Sequence, residues 1–129
     1  MCLIRRRGIR YKRKIIVNIN EVSMIVTAWN NGQHHSTGAG YGLKVNANDR
    51  DKYFSRKWRS VILELAGESK EIVLNINKPS FWSPVCRELI SKDIGIWLIK
   101  NGKAPWTKDK PPKMRMEPIG GNRFKVNSM

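Results

Sequence analysis

Residues 30–35 read Asn-Asn-Gly-Gln-His-His, and Asn30, Asn31, Gln33, His34 and His35 all carry side chains that donate and accept hydrogen bonds. Amide and imidazole groups match the donor and acceptor edges of nucleobases, so this run is expected to contact bases. Imidazole also exchanges protons near neutral pH. The same pair, set in a basic cleft with an arginine, would suit cleavage of RNA by general acid and base chemistry, as in small toxin ribonucleases. A metal role for His34 and His35 is disfavoured, because no Cys or acid stands nearby at ligand spacing. The plainer alternative is a solvated polar loop.

Residues 50–59 place Arg50, Lys52, Arg56, Lys57 and Arg59 among Tyr53, Phe54 and Trp58. Cations neutralise phosphates and release counterions, and exposed rings stack on unpaired bases, so the mixture suits nucleic acid. Phe54 and Trp58 are assigned to the core, which leaves the cations as the phosphate ligands. Lys103, Lys108 and Lys110, with the basic residues up to Lys113, extend that set near the carboxyl end. The densest charge lies in residues 1–14, where Arg5, Arg6, Arg7 and Arg10 precede Lys12, Arg13 and Lys14 with no acid among them. This segment is expected to be a flexible arm that grips phosphates.

Other chemistries find little support in the residue order. Glu68-Ser69-Lys70, with Asp49 and Asp51 upstream, has the acid-x-Lys form of metal-dependent nucleases, but Glu68 is expected at a hairpin tip, in solvent and away from other carboxylates. Gly38, Gly40 and Gly42 run into a strand, not a helix amino terminus, so they predict tight packing or a bulge and not a phosphate cradle. Cys86 reads as a small core residue, and Trp82, Trp97 and Trp106 as packing residues, with Trp106 set apart by its lysine and proline neighbours. No nucleophile signature and no cofactor motif is present, so no cofactor is expected.

Twenty-five basic residues against 10 acidic ones give a net charge of +15, which points to a polyanionic partner. The 129 residues predict one core, a single domain over residues 15–129 behind the arm. Two cysteines, Cys2 and Cys86, build no disulfide framework, and no long apolar run follows the first arginines. A soluble cytoplasmic protein without a membrane span is expected.

About seven short strands should position these groups. They are expected at residues 14–20, 23–29, 41–46, 60–66, 70–77, 113–117 and 123–126, where β-branched or alternating residues end in Gly, Asn or Pro. Gly67-Glu68-Ser69 should turn one hairpin and residues 119–122 another. Asn48-Asp49 predicts a cap before a short turn. Ser83-Pro84 opens a helical segment over about 84–101, with Val85, Leu89 and Ile90 as its apolar stripe; Ser91 can cap a continuation or a second short helix carrying Ile94, Trp97 and Leu98, and Asn101-Gly102 ends it. Residues 104–112, with three prolines, form an irregular connector. The fold class is therefore β-rich α+β, a partly open barrel with its helical segment across an open end.

This inventory resembles the DNA-binding pseudobarrel shared by plant auxin response factors and the effector domains of some restriction endonucleases. The phrase Tyr53-Phe54-Ser55-Arg56-Lys57-Trp58 before the strand at 61–65 carries the likeness. The chain lacks the Pro-Lys step before the aromatic, and its helical stretch over 83–101 is longer. The resemblance implies DNA binding by two loop arms in the major groove. Residue chemistry and resemblance together predict non-catalytic nucleic-acid binding, DNA ahead of RNA. The alternatives are a small basic ribonuclease or toxin and an RNA-bound structural subunit.

Overall fold

The computed structural model describes residues 23–129; the basic arm and the strand expected over 14–20 lie outside the described residues. Strands and helices follow in the order β1 (Met24–Asn30), β2 (Tyr41–Val45), α1 (Ala47–Tyr53), β3 (Ser60–Leu65), β4 (Glu71–Asn75), β5 (Glu88–Ile90), α2 (Lys92–Lys100), β6 (Lys113–Gly120) and β7 (Arg123–Ser128). All seven strands join one sheet in the order β4-β3-β7-β6-β1-β2-β5, antiparallel throughout except for the parallel β3–β7 pair. The sheet curls until its outer strands β4 and β5 approach each other, which makes a nearly closed barrel of β-rich α+β class.

Alternation along the strands fills the barrel, because successive side chains point to opposite faces. Met24, Val26 and Ala28 of β1 point inward with Leu43 and Val45 of β2, Val61, Leu63 and Leu65 of β3, Met114 and Met116 of β6, and Phe124 and Val126 of β7. Gly42 sits where β2 meets β5 so closely that a Cβ would lie 2.4 Å from the Leu89 carbonyl oxygen, which accounts for this glycine by packing, as expected.

Two short helices close the barrel. Asn46, and not Asn48 or Asp49, caps α1, its side-chain oxygen accepting the Asn48 amide hydrogen. Beyond α1, Phe54 stacks on Phe124 at 4.6 Å between ring centres and Trp58 packs beside them, so both rings belong to the core. At the opposite end α2 buries Ile94, Trp97 and Leu98, and the Trp97 indole N–H donates to the Ala66 carbonyl at 2.8 Å. The register sets the layout. The loop over 31–40, the β3–β4 turn, α2 and the connector over 101–112 share one end, and α1 with the loops over 54–59 and 76–87 forms the other.

One expectation needs correcting. No helix starts at Ser83: its hydroxyl accepts the Cys86 amide hydrogen as a cap would, but Arg87 has a φ of 70° and ends the turn there. Residues 88–90 pair with β2 instead, Leu89 inward and Ile90 outward, and Val85 is exposed in the preceding turn, so the three apolar residues share no helical face. The helix proper begins after Ser91, whose hydroxyl caps the Asp93 amide. Cys86 is half-buried and not in the core.

Candidate nucleic-acid interface

The end of β1 and the loop that follows build a rigid polar corner. Asn30 accepts the Gly32 amide hydrogen on its side-chain oxygen at 2.9 Å, and its amide nitrogen donates to His34 Nε2 at 3.0 Å. His34 Nδ1 lies 2.8 Å from the Tyr41 hydroxyl, which is consistent with a proton on Nδ1 donated to Tyr41 and a lone pair on Nε2 facing Asn30. Burial pushes the Tyr41 phenol above its ordinary range. The Trp106 ring meets His34 edge-on at 4.6 Å, so the connector is pinned to the loop. Between them opens a cleft of about 530 Å³ lined by Trp29, Asn30, His34, Trp106, Lys108 and Asp109.

A second, basic cleft of about 290 Å³ lies alongside, lined by Thr27, Lys44, Asn46, Arg87 and Lys113 with Ile25 and Val45. Its cause is register: Thr27 stands opposite Lys44 on β2 and opposite Lys113 on β6, so two ammonium groups flank one hydroxyl on the outer face. Arg87 is held there by its Nε donating to the Val45 carbonyl at 2.8 Å. Lys44 has Glu88 at 3.8 Å, whereas Lys113 has no ion-pair partner among the described residues. Thr27 and Trp29 point to the same side of β1 about 7 Å apart. The two clefts therefore follow one another along that strand.

Acidic groups are concentrated elsewhere. Lys70 pairs with Asp93 at 3.2 Å and Lys100 with Glu68 at 2.8 Å, and Arg123 contacts both Glu71 and, at 3.7 Å, Glu64. Those acids sit on the β3–β4 hairpin and α2. Glu68 is thus tied to the helix and does not wave in solvent as expected from a hairpin tip. Lys108, Lys110, Lys113, Arg56, Lys57 and Arg59 make no ion pair among the described residues, so local positive charge persists on them.

The predicted residues divide among several places. Asn30, His34 and Lys108 meet in the larger cleft, with Asn31, Gln33, His35 and Lys110 exposed around it and half-buried Lys103 leaving α2 nearby. Lys52, Arg56, Lys57 and Arg59 lie at the opposite end of the barrel, where Arg56 stacks over the Trp82 ring at 4.5 Å. Arg5, Arg6, Arg7 and Arg10 lie outside the described residues. Arg50 is a correction: it is buried, donating to the carbonyls of Phe81 at 2.9 Å and Ser83 at 2.6 Å and pairing with Asp51 at 3.0 Å, so its guanidinium is already occupied. Trp29, Lys44 and Arg87 were not predicted, because only cross-strand register brings them beside Lys113 and the loop over 30–35. The lysines and prolines around Trp106 were the one local hint that it leaves the core.

Both His34 nitrogens already have partners, so neither presents a free base to a ribose hydroxyl. No cluster of three or more metal-ligating side chains occurs among the described residues, and no helix among them is long and apolar enough to cross a membrane. No family model, curated protein or solved structure matches the chain.

Proposed function

We propose that this protein binds nucleic acid without cleaving it, DNA ahead of RNA, through the outer face of β1 and its neighbours β2 and β6. The observation that carries this reading is the placement of Lys44, Arg87 and Lys113 around Thr27, beside a cleft of amide, imidazole and indole groups. Cations at that face would hold phosphates and fix orientation, and the loop over 30–35 would meet the bases. The likeness to the pseudobarrel adds an expectation of gripping loop arms, and the loop over 31–40 borders the proposed face as such an arm would. A reducing cytoplasm suits a chain with only two cysteines in its sequence.

Titration of a labelled duplex between 50 and 200 mM salt tests the reading. If six to ten phosphates are neutralised, with the basic arm contributing, affinity falls on the order of 10³ to 10⁵-fold across that range. A flat response, or no binding at 50 mM salt, rejects it.

A further inference from the structure

Trp82 and Trp97 donate their indole N–H groups to backbone carbonyls at 2.9 and 2.8 Å, whereas those of Trp29, Trp58 and Trp106 have no acceptor among the described residues. Trp58 packs beside Phe54 and Phe124 at the far end of the barrel, which leaves Trp29 and Trp106 beside the larger cleft. Trp29 stands on the outer face of β1 opposite Gly42, where no side chain from the neighbouring strand crowds it. Both rings border the cleft of about 530 Å³, a size that accepts a small planar ligand. Its walls are preset, because Asn30, His34, Tyr41 and Trp106 hold one another through hydrogen bonds and ring contacts.

One acid stands in this cleft beside its one lysine. Asp109 lies between Lys108 and Lys110, has a φ of 65°, lines the cleft, and makes no ion pair among the described residues. A carboxylate accepts hydrogen bonds and donates none. On a surface that meets phosphates it repels the backbone, but it matches an amino group on a ring.

We infer that the larger cleft is a pocket for one unstacked nucleobase bearing an exocyclic amine, with Trp29 and Trp106 against the ring, Asp109 accepting from the amine, and Lys108 beside the adjoining phosphate. The inference rests on nucleic acid being the ligand and narrows it to a strand with an unpaired adenine, cytosine or guanine. Base stacking on an aromatic platform is sequence-tolerant, so the amine contact supplies the preference against thymine and uracil.

The test uses the full chain and duplexes carrying a single bulged nucleotide, with 2-aminopurine as one of the bulged bases. Relative to the fully paired duplex, the bulged adenine or cytosine duplex binds more tightly, and 2-aminopurine fluorescence is quenched on binding. Trp29→Ala, an outer-face change that leaves the core intact, weakens the bulged duplex about 5- to 100-fold more than it weakens the paired duplex. Asp109→Asn erases the preference for adenine or cytosine over thymine at the bulge. Equal binding of bulged and paired duplexes, with Trp29→Ala without effect, overturns the pocket while nucleic-acid binding stands. Absence of binding to any of these at 50 mM salt removes both.

Discussion

Gly38 and Gly95 touch through their backbones: a Cβ on Gly95 would lie 2.0 Å from the Gly38 carbonyl oxygen, and one on Gly38 would lie 2.8 Å from the Ile96 nitrogen. The contact sets the height at which α2 sits against the loop over 31–40. It therefore also sets one side of the larger cleft.

Replacing Gly95 by Ala favours an isolated helix by about 1 kcal/mol, yet here the added methyl meets backbone that cannot rotate away. Overpacking of this kind costs about 1–3 kcal/mol. Gly95→Ala is therefore expected to lower the denaturant midpoint despite its better helix propensity. An unchanged or raised midpoint would show that helix and loop are free to separate.

Arg50 separates charge from binding. Its truncation to Ala strands the carbonyls of Phe81 and Ser83, both of which accept from its guanidinium. The expected loss is about 2–4 kcal/mol of stability, because buried acceptors lose a charged donor and no water replaces it. Salt dependence of nucleic-acid binding by the folded fraction should not move. A reduced slope would return Arg50 to the phosphate ligands and contradict its burial.

Much of the barrel was legible along the chain, for physical reasons. Residues 60–66 and 70–77 are two short runs rich in Val, Ile and Leu on either side of a glycine turn, and that local pattern points to a hairpin. Residues 84–90 misled because Ser83-Pro84 begins a turn in the same way as it begins a helix, and three residues of β5 are too few to display a period. The interface was legible only in part. Lys44 and Lys113 flank Thr27 through pairings between distant strands, and Trp106 meets His34 because the Ala28 amide hydrogen is accepted by Pro112 at 2.9 Å, drawing the connector back over β1. Composition placed Arg50 among the cations, and nothing local announced that loop carbonyls would surround it.

Tyr41 ties stability to alkaline pH. Its phenol is held above the usual value of about 10 by burial, so in that window the folded state keeps a proton that the unfolded chain has released. Stability consequently falls as pH rises through and beyond about 10. Tyr41→Phe loses the hydroxyl contact to His34, costing about 1 kcal/mol at neutral pH, but removes this alkaline term. Denaturant midpoints at pH 8 and 11 should thus converge between the two proteins. A gap between the two proteins that stays the same from pH 8 to 11 would mean that the phenol ionises as freely in the fold as in the unfolded chain.

The two lysines beside Thr27 offer the sharpest check on where phosphates bind. Each phosphate contact contributes about 0.9 to the slope of log affinity against log salt, so Lys44→Gln with Lys113→Gln should flatten that slope by about 2 on duplex DNA of any sequence. Lys70→Gln with Lys100→Gln removes the same formal charge from side chains already paired with Asp93 and Glu68 on the acid-bearing hairpin and helix. That second pair should leave the slope nearly intact. Equal effects from both pairs would mean that binding follows total charge alone, and the outer face of β1 would lose its claim as the docking surface.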